Sequence, residues 1–449
     1  MRYQQHVEHE QIELTYDTLA GFGQENGLPV AGSSEGYAER LKGYPLELRV
    51  FKELKPLVRA VGVSENFKEV IDTFQIAGGE LPAGFVAKPS LKFGGLLEVD
   101  LVRNISFDAN GKPRPTRVLF SADSANPYDV EIVKNMVSNL TCNPAIIYDR
   151  FINNPKANVG GKYKDRDEVL MDIGKILGPG CDISVELMDP FGSTDEQILE
   201  ECAKFRDMLT KYRVVIKVPH TGMINAGTVS QLTTGERHMN ERYNSGATAD
   251  FFRGHNIALM LKEHGYRVNF TLMFEPYQAA LALQARPYFI NSFVQIRRDC
   301  GIVMAGLMKA YEDTGDVSFV HRLKEFMYEN DFIGLKEREQ GDLFDAYNMA
   351  RETIRFRGLD TEPRSDGLDA VRHNLRMLRQ TNISDTRLII CNFQGDYLYP
   401  YIDRLIADEE FSDMAGRIVV TGSPDLVAKF TTSPAVNFFH RRFNSAMGK

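Results

Sequence analysis

Long apolar runs are missing from this 449-residue chain: no stretch approaches the ~20 apolar residues of a membrane-spanning helix. The opening run MRYQQHVEHEQIEL lacks an apolar core, so neither a secretory leader nor a membrane partner is expected. Positive charge is short as well. Against 61 Asp and Glu there are 53 Lys and Arg, a net charge of −8, with no basic run beyond a solvated helix face. Holding nucleic acid by phosphate neutralisation is therefore not expected. Cysteine is scarce and odd in number: Cys142, Cys181, Cys202, Cys300 and Cys391, none in a C-x-x-C pair. That pattern predicts reduced core thiols and a cytoplasmic, reducing compartment. His220, His238, His255 and His264 cluster in sequence without H-x-x-x-H or H-E-x-x-H spacing, so no metal site is expected. ANVGGKY (157–163) has half the look of a phosphate loop but neither its spacing nor its Ser/Thr.

Apolar residues are present at 43%, enough for a large core. Residues 1–95 read as a mainly helical extension, because RVFKELKPLVRAVG and ENFKEVIDTFQIAGG carry helical spacing and end in Gly. GLLEVDLVRNISF then alternates apolar and polar residues before the turn DANGKP, which suggests a hairpin. From about 116 the rhythm changes. Short β-branched runs alternate with helical patterns: RVLFSAD, SNLTCNP, DISVELM, RVVIKVP, RVNFTLMF, FINSFV, RLIICNF and RIVVTGS. Parallel strands need crossovers, and eight of them can close, so 96–449 is read as a (β/α)8 TIM barrel. A doubly wound open sheet stays open as the alternative on pattern alone. Asn126-Pro127, Asn143-Pro144 and Ser423-Pro424 mark helix starts, and Ser193-Thr-Asp-Glu196 reads as a capping box. Two segments interrupt the alternation as insertions, 220–255 and 301–386. The first reads as a lid with Gly222, Gly227 and Gly235 as hinges.

Side chains alternate along a strand, and a barrel gathers the carboxyl ends of its strands at one rim. That rule brings Asp123, Asn143, Glu186, Lys217, Asn269, Thr271 and Asn291 to one place. Lys217 in Val-Val-Ile-Lys-Val-Pro is the sharpest signal, since an ammonium is costly to bury. Burial should lower its pKa and give a neutral amine able to attack a ketone. Equally, Lys217 could pair with Glu186 for structure alone, Asn143 could simply cap a helix, and Thr271 could be an ordinary strand residue.

The runs FSADSANP, LTCNPAII, ISVEL, VVIKVPHTG and VNFTLMFEPYQAALA, in that order, resemble the transaldolase family of Schiff-base aldol-transfer enzymes. The likeness spans roughly 115–300, with a fainter continuation through the last two strands. It implies a carbohydrate-metabolising enzyme of pentose-phosphate type, a transferase or lyase acting on a keto sugar or sugar phosphate. By that resemblance Lys217 forms the imine and Asp123 shuttles the hydroxyl proton. Glu186, through a water held by Thr271, moves protons at the carbinolamine, and Asn143 and Asn269 bind hydroxyls. The imine serves as electron sink, so no cofactor is implied. The chain departs from the family on strand six, where Asn291-Ser292-Phe293-Val294-Gln295-Ile296 puts Ile296 at the position of a phosphate-binding arginine. Asn291, Ser292 and the nearby Arg297 and Arg298 are the substrate-binding candidates there. The second phosphate arginine, on strand seven, is also missing, so an unphosphorylated substrate is open. Rival readings are a sugar isomerase or epimerase, acting by Schiff-base or acid/base chemistry, and an inactive sugar-binding barrel. The run NFFHRRF near the end could pack across the barrel or across a homodimer.

Overall fold

The computed structural model describes residues 14–21, 28–34, 36–41, 43–77, 80–108, 112–358, 366–391 and 396–448. They form two compact units, 1–115 with 179–181, and 116–178 with 182–449. The division therefore falls after Pro115, not at residue 95.

The smaller unit has more strand than its helical spacing suggests. Strands β1 (Ala60–Val63), β2 (Phe85–Lys92) and β3 (Leu96–Arg103) make a sheet in the order β1-β3-β2. RVFKELKPLVRAVG is helical only through Leu48–Leu54, and its Ala60-Val-Gly-Val63 end runs parallel to β3. The apolar residues Val61 and Val63 are buried in that sheet, where β-branched side chains pack well. The helix Glu65–Phe74 is capped by Ser64 and ends on Gln75 in the left-handed conformation; Gly78 and Gly79 lie outside the described residues. β3 is the alternating run LLEVDLVR, but its hairpin partner is the preceding β2, joined through the left-handed Gly94 and Gly95. Of the run DANGKP, residues 109–111 lie outside the described set.

The larger unit is a (β/α)8 barrel. Its strands are β4 (Leu119–Asp123), β5 (Asn139–Cys142), β6 (Asp182–Glu186), β7 (Val214–Pro219), β8 (Val268–Thr271), β9 (Phe289–Phe293), β10 (Arg387–Cys391) and β11 (Ile418–Gly422). They close as a ring in chain order, each pair parallel. All eight apolar runs become strands because each is flanked by turn or cap residues and buried on both faces. Outward-facing Leu140, Ile183, Ile216, Phe270, Ile290 and Leu388 are essentially inaccessible beneath the helices. The interior is unusually polar low in the barrel. Asn139 donates to Ser121 Oγ at 3.0 Å and accepts from Ser184 Oγ at 3.1 Å, so each buried polar group there is satisfied.

Asn126 caps the helix after β4, accepting from the Tyr128 N–H. The capping box after β6 sits one residue later than the sequence reading: Thr194 and Gln197 bond reciprocally, because Gln197 can reach back to the Thr194 N–H. The segment after β7 is strapped rather than free. Thr221 Oγ1 donates to the Asp250 carbonyl and Asn225 to the Asp250 carboxylate, while Leu335 and Lys336 donate backbone N–H groups to Met239 and Asn240. Gly222 and Gly235 do take positive φ. Gly254 is required for another reason: a Cβ there would meet the Pro219 carbonyl at 2.2 Å, so only glycine lets the helix Thr248–Glu263 approach the end of β7. The insertion after β9 is helical, with Gln295–Thr314, Ser318–Glu329 and Leu343–Arg357 packed around Met304, Leu323 and Met327; residues 359–365 of it are outside the described set. The five cysteines are all buried and unbonded to one another. Among the described residues no helix is long and apolar enough to cross a membrane.

Candidate active site

Strand register places the ionisable residues side by side. Glu186 is paired with Lys217, and Lys217 with Asn269, while Asp123 is paired with Thr141. Residues paired across neighbouring parallel strands point to the same face, here the barrel interior. Lys217 is 5% exposed, and its Nζ lies 3.0 Å from Glu186 Oε2. Thr141 Oγ1 donates to Asp123 Oδ1 at 2.8 Å. The two-residue alternation puts Thr141 on the same face as Asn139 and Asn143 but gives it no role; its pairing with Asp123 supplies one.

The charge balance differs from expectation. Burial works against the Lys217 ammonium, but the Glu186 and then the Asp123 carboxylates outweigh it, and the lysine is pushed up to about 12. The unliganded site therefore holds an ion pair and not a free amine. This corrects the expected lowering: the low-dielectric wall is there, yet it strengthens the attraction of a carboxylate at 3.0 Å along with the desolvation cost. Asp123 moves in the complementary direction. Burial raises its pKa, opposed by Lys217, the Thr141 hydroxyl and Arg150, so this carboxyl holds a proton more readily than an exposed aspartate would.

On the adjoining strands, donors and acceptors lack protein partners. Asn269 Oδ1 accepts from Asn291 Nδ2, which also donates to the Phe270 carbonyl at 3.0 Å. Asn269 Nδ2 and the Thr271 hydroxyl, both inaccessible to bulk solvent, find no partner among the described residues. Orphaned buried groups are costly, about 1–3 kcal/mol each, and mark where a substrate or water would bind. After Thr271 the chain turns sharply at Leu272, a leucine held at φ 57°, and the Gln278 side-chain amide fastens that turn by bonding the Leu272 carbonyl and the Phe274 and Glu275 N–H groups. Asn143 does cap: its Oδ1 accepts from the Ile146 N–H at 2.8 Å, leaving its amide nitrogen for other duty.

The remaining candidates are not brought together here. Ser292 points to the opposite face of β9 from Asn291, buried behind the barrel wall. Arg297 is 2% exposed and its guanidinium is consumed: Nε meets Glu275 Oε2 at 3.0 Å and the Nη atoms meet the Asp369 carboxylate. Arg357 completes the cluster on Glu275 Oε1 and on the Arg297 carbonyl. Arg297 thus belongs to the scaffold, a correction to its substrate-binding assignment; Glu275, Arg357 and Asp369 are far apart in sequence and gave no signal. Arg297→Ala is expected to cost about 3 kcal/mol in a denaturant titration, toward the low end for breaking a buried pair because its partners are 15% and 20% exposed. Arg298 lies over the Tyr397 ring at 5.4 Å and 3.5 Å from Asp299. Ile296 is 61% exposed at the head of the following helix. Asn392, which follows the strand expected to carry the second phosphate arginine, lies outside the described residues. Of the histidines, His238 pairs with Asp331 and His264 with the Met260 carbonyl. His220 is packed on Phe270 and held neutral by burial and then by His255, its pKa lowered to about 4.

No curated protein matches the chain by sequence. Among solved structures, that of a Pediococcus acidilactici lactate oxidase is 10% identical, covers 81% of this chain and 75% of its own, and has a TM-score of 0.30, too low to bear on function. The model of the family described as Transaldolase/Fructose-6-phosphate aldolase matches residues 120–301, the stretch from β4 through β9 that carries Asp123, Glu186, Lys217, Asn269 and Thr271. Over that segment, the barrel of this chain is similar to the transaldolase/fructose-6-phosphate aldolase family.

Proposed function

We propose that the protein makes or breaks a carbon–carbon bond of a keto sugar through an imine on Lys217. The observation that carries this reading is a buried amine in contact with one carboxylate and under the field of a second, proton-accepting one. Substrate entry adds a neutral carbonyl beside the ion pair. Lys217 passes a proton to a carboxylate and its lone pair attacks the ketone carbon. Proton transfer to the carbinolamine oxygen expels water and leaves an iminium. Asp123 then removes the proton of the hydroxyl on the carbon β to the iminium carbon. The Cα–Cβ bond breaks, an aldehyde leaves, and the electron pair is stored as an enamine. The enamine either attacks an acceptor aldehyde, with Asp123 returning its proton, or is protonated and hydrolysed. Glu186 serves the carbinolamine steps, with Thr271 Oγ1 and Asn269 Nδ2 supplying the unfilled hydrogen bonds to water and substrate.

Borohydride with a ketose panel, free and phosphorylated, is expected to leave a reduced adduct on Lys217 detectable by peptide mass. If no ketose yields an adduct, the imine reading fails. Asp123→Asn separates the steps: trapping on Lys217 persists while cleavage falls by ~10²–10⁴-fold, the usual range for a lost general base. Solvent isotope exchange without cleavage would instead identify an isomerase.

The saturated Arg297 and the exposed Ile296 favour a substrate without a phosphate group at that end of the site. Thermal shift should then be larger with free than with phosphorylated ketoses.

A further inference from the structure

Directly after Thr271, whose buried hydroxyl has no partner among the described residues, the chain reverses at Leu272. Leu272 holds φ 57°, a region that glycine enters freely and leucine rarely. Packing does not explain it, because Leu272 is 38% exposed. Hydrogen bonds do. Three successive carbonyls are held here, each by a different element. The Thr271 carbonyl accepts from the His220 N–H at 3.1 Å, just past β7. The Met273 carbonyl accepts from the Phe293 N–H at 2.9 Å, at the end of β9. Both of these partners are backbone groups. The Leu272 carbonyl between them accepts from a side chain, Gln278 Nε2, at 3.0 Å. The oxygen of the same amide accepts from the Phe274 and Glu275 N–H groups at 2.7 and 2.8 Å. The far end of the turn is fixed as well, since Arg297 and Arg357 grip the Glu275 carboxylate. An unfavourable backbone conformation persists only where its surroundings over-determine it, and at Leu272 the Gln278 amide is the side chain that does so.

We propose that Gln278 is a positioning residue for imine formation, an inference that rests on the imine reading of Lys217. By keeping Leu272 left-handed it holds the peptide that follows Thr271 in place. Threonine is branched at Cβ and stiff at χ1, so its hydroxyl goes where its backbone aims it. Lys217 is paired with Asn269, two residues before Thr271 and on the same inward face. A Thr271 hydroxyl aimed inward there meets the water or carbinolamine oxygen on which Lys217 and Glu186 act. Gln278 itself is spent on three backbone groups and does not touch the substrate. Should the turn relax, the hydroxyl moves and proton transfer at the carbinolamine slows. Ketose binding draws on other groups, Asn269 among them, so the loss falls on the rate of imine formation and not on affinity.

Dihydroxyacetone, the smallest ketose, reads the imine step with no carbon–carbon bond to cleave. The full-length chain is aged with it for set times and quenched with excess borohydride, and the adduct on Lys217 is followed by peptide mass. In Gln278→Ala the adduct is expected to form about 10- to 100-fold more slowly, the cost of a small misplacement, with half-saturation by dihydroxyacetone within about threefold of wild type. Thr271→Ala is expected to show a similar loss. Adding Gln278→Ala to it should cost little more, because both changes act through one hydroxyl. Adding Leu272→Gly to Gln278→Ala is expected to restore most of the rate, since glycine takes a positive φ without help. A wild-type rate in Gln278→Ala overturns the proposal. So does a loss that adds in full to that of Thr271→Ala, or a rate that Leu272→Gly does not restore. If Gln278→Ala does not fold, Gln278→Glu takes its place, keeping the oxygen for Phe274 and Glu275 and losing the donor to the Leu272 carbonyl. A wild type that forms no adduct overturns the imine reading and this inference together. A wild type that traps normally, beside any of the contrary results, overturns the inference alone.

Discussion

Lys217→Ala is expected to bring turnover to background, a loss on the order of 10⁶-fold of the kind seen when a nucleophile is removed from a concerted catalytic unit. Borohydride trapping should vanish with it. The alanine variant also strips Glu186 of its partner, so some loss of stability, about 3 kcal/mol or less, accompanies the change. Lys217→Arg distinguishes the two effects. Arginine keeps the positive charge beside Glu186 and Asp123 but has no amine that can form an imine with a ketone. It is expected to be as inactive as alanine while retaining most of the wild-type denaturation midpoint. Appreciable turnover by either variant would remove Lys217 from the chemistry and leave it a structural ion-pair partner.

Glu186→Gln should move the titration of Lys217 as well as the rate. In the wild type, burial lowers the lysine and the Glu186 and Asp123 charges more than restore it, to about 12. Removing the Glu186 charge leaves burial opposed by Asp123 and, more weakly, Cys391, so the lysine pKa falls. The ¹³C shift of the Lys217 ε-carbon reports the midpoint directly. It is expected near 12 in the wild type and at least ~1 unit lower in the variant. Turnover should drop by ~10²–10⁴-fold, because the variant amine is easier to deprotonate but has lost its proton carrier. The stability linkage has a definite sign. A lysine raised in the folded state contributes stability that is fully present below its unfolded pKa of ~10.4 and is lost as pH rises through about 12. Glu186→Gln should flatten that alkaline loss. An unshifted midpoint would mean that Glu186 does not hold the ammonium in place.

These expectations rest on features that differ in how they could be read. The eight barrel strands were legible because each apolar run is short, β-branched and bounded by a cap or turn, and because parallel strands demand the helices found between them. The inward set Asp123, Glu186, Lys217, Asn269 and Thr271 followed from the two-residue alternation once the strand ends were known. Periodicity was misleading where its window mixed two elements, as in RVFKELKPLVRAVG, whose last residues pair with β3. Nothing local distinguished the buried Arg297 from a substrate-binding arginine, because its partners come from Glu275, Asp369 and Arg357 on three other elements.

The residues alone settled the parallel β/α packing and the chemical inventory: eight short strands with helices between them, and a lysine, two carboxylates and two amides at their carboxyl ends. These depend on local pattern, which short-range sterics and burial enforce. The tertiary structure decided the closure of the sheet into a barrel, the charge state of the lysine and the assignment of Arg297 to the scaffold. Each of these is a balance between groups brought together from distant parts of the chain, and Coulomb and packing energies depend on separations that no spacing in sequence records.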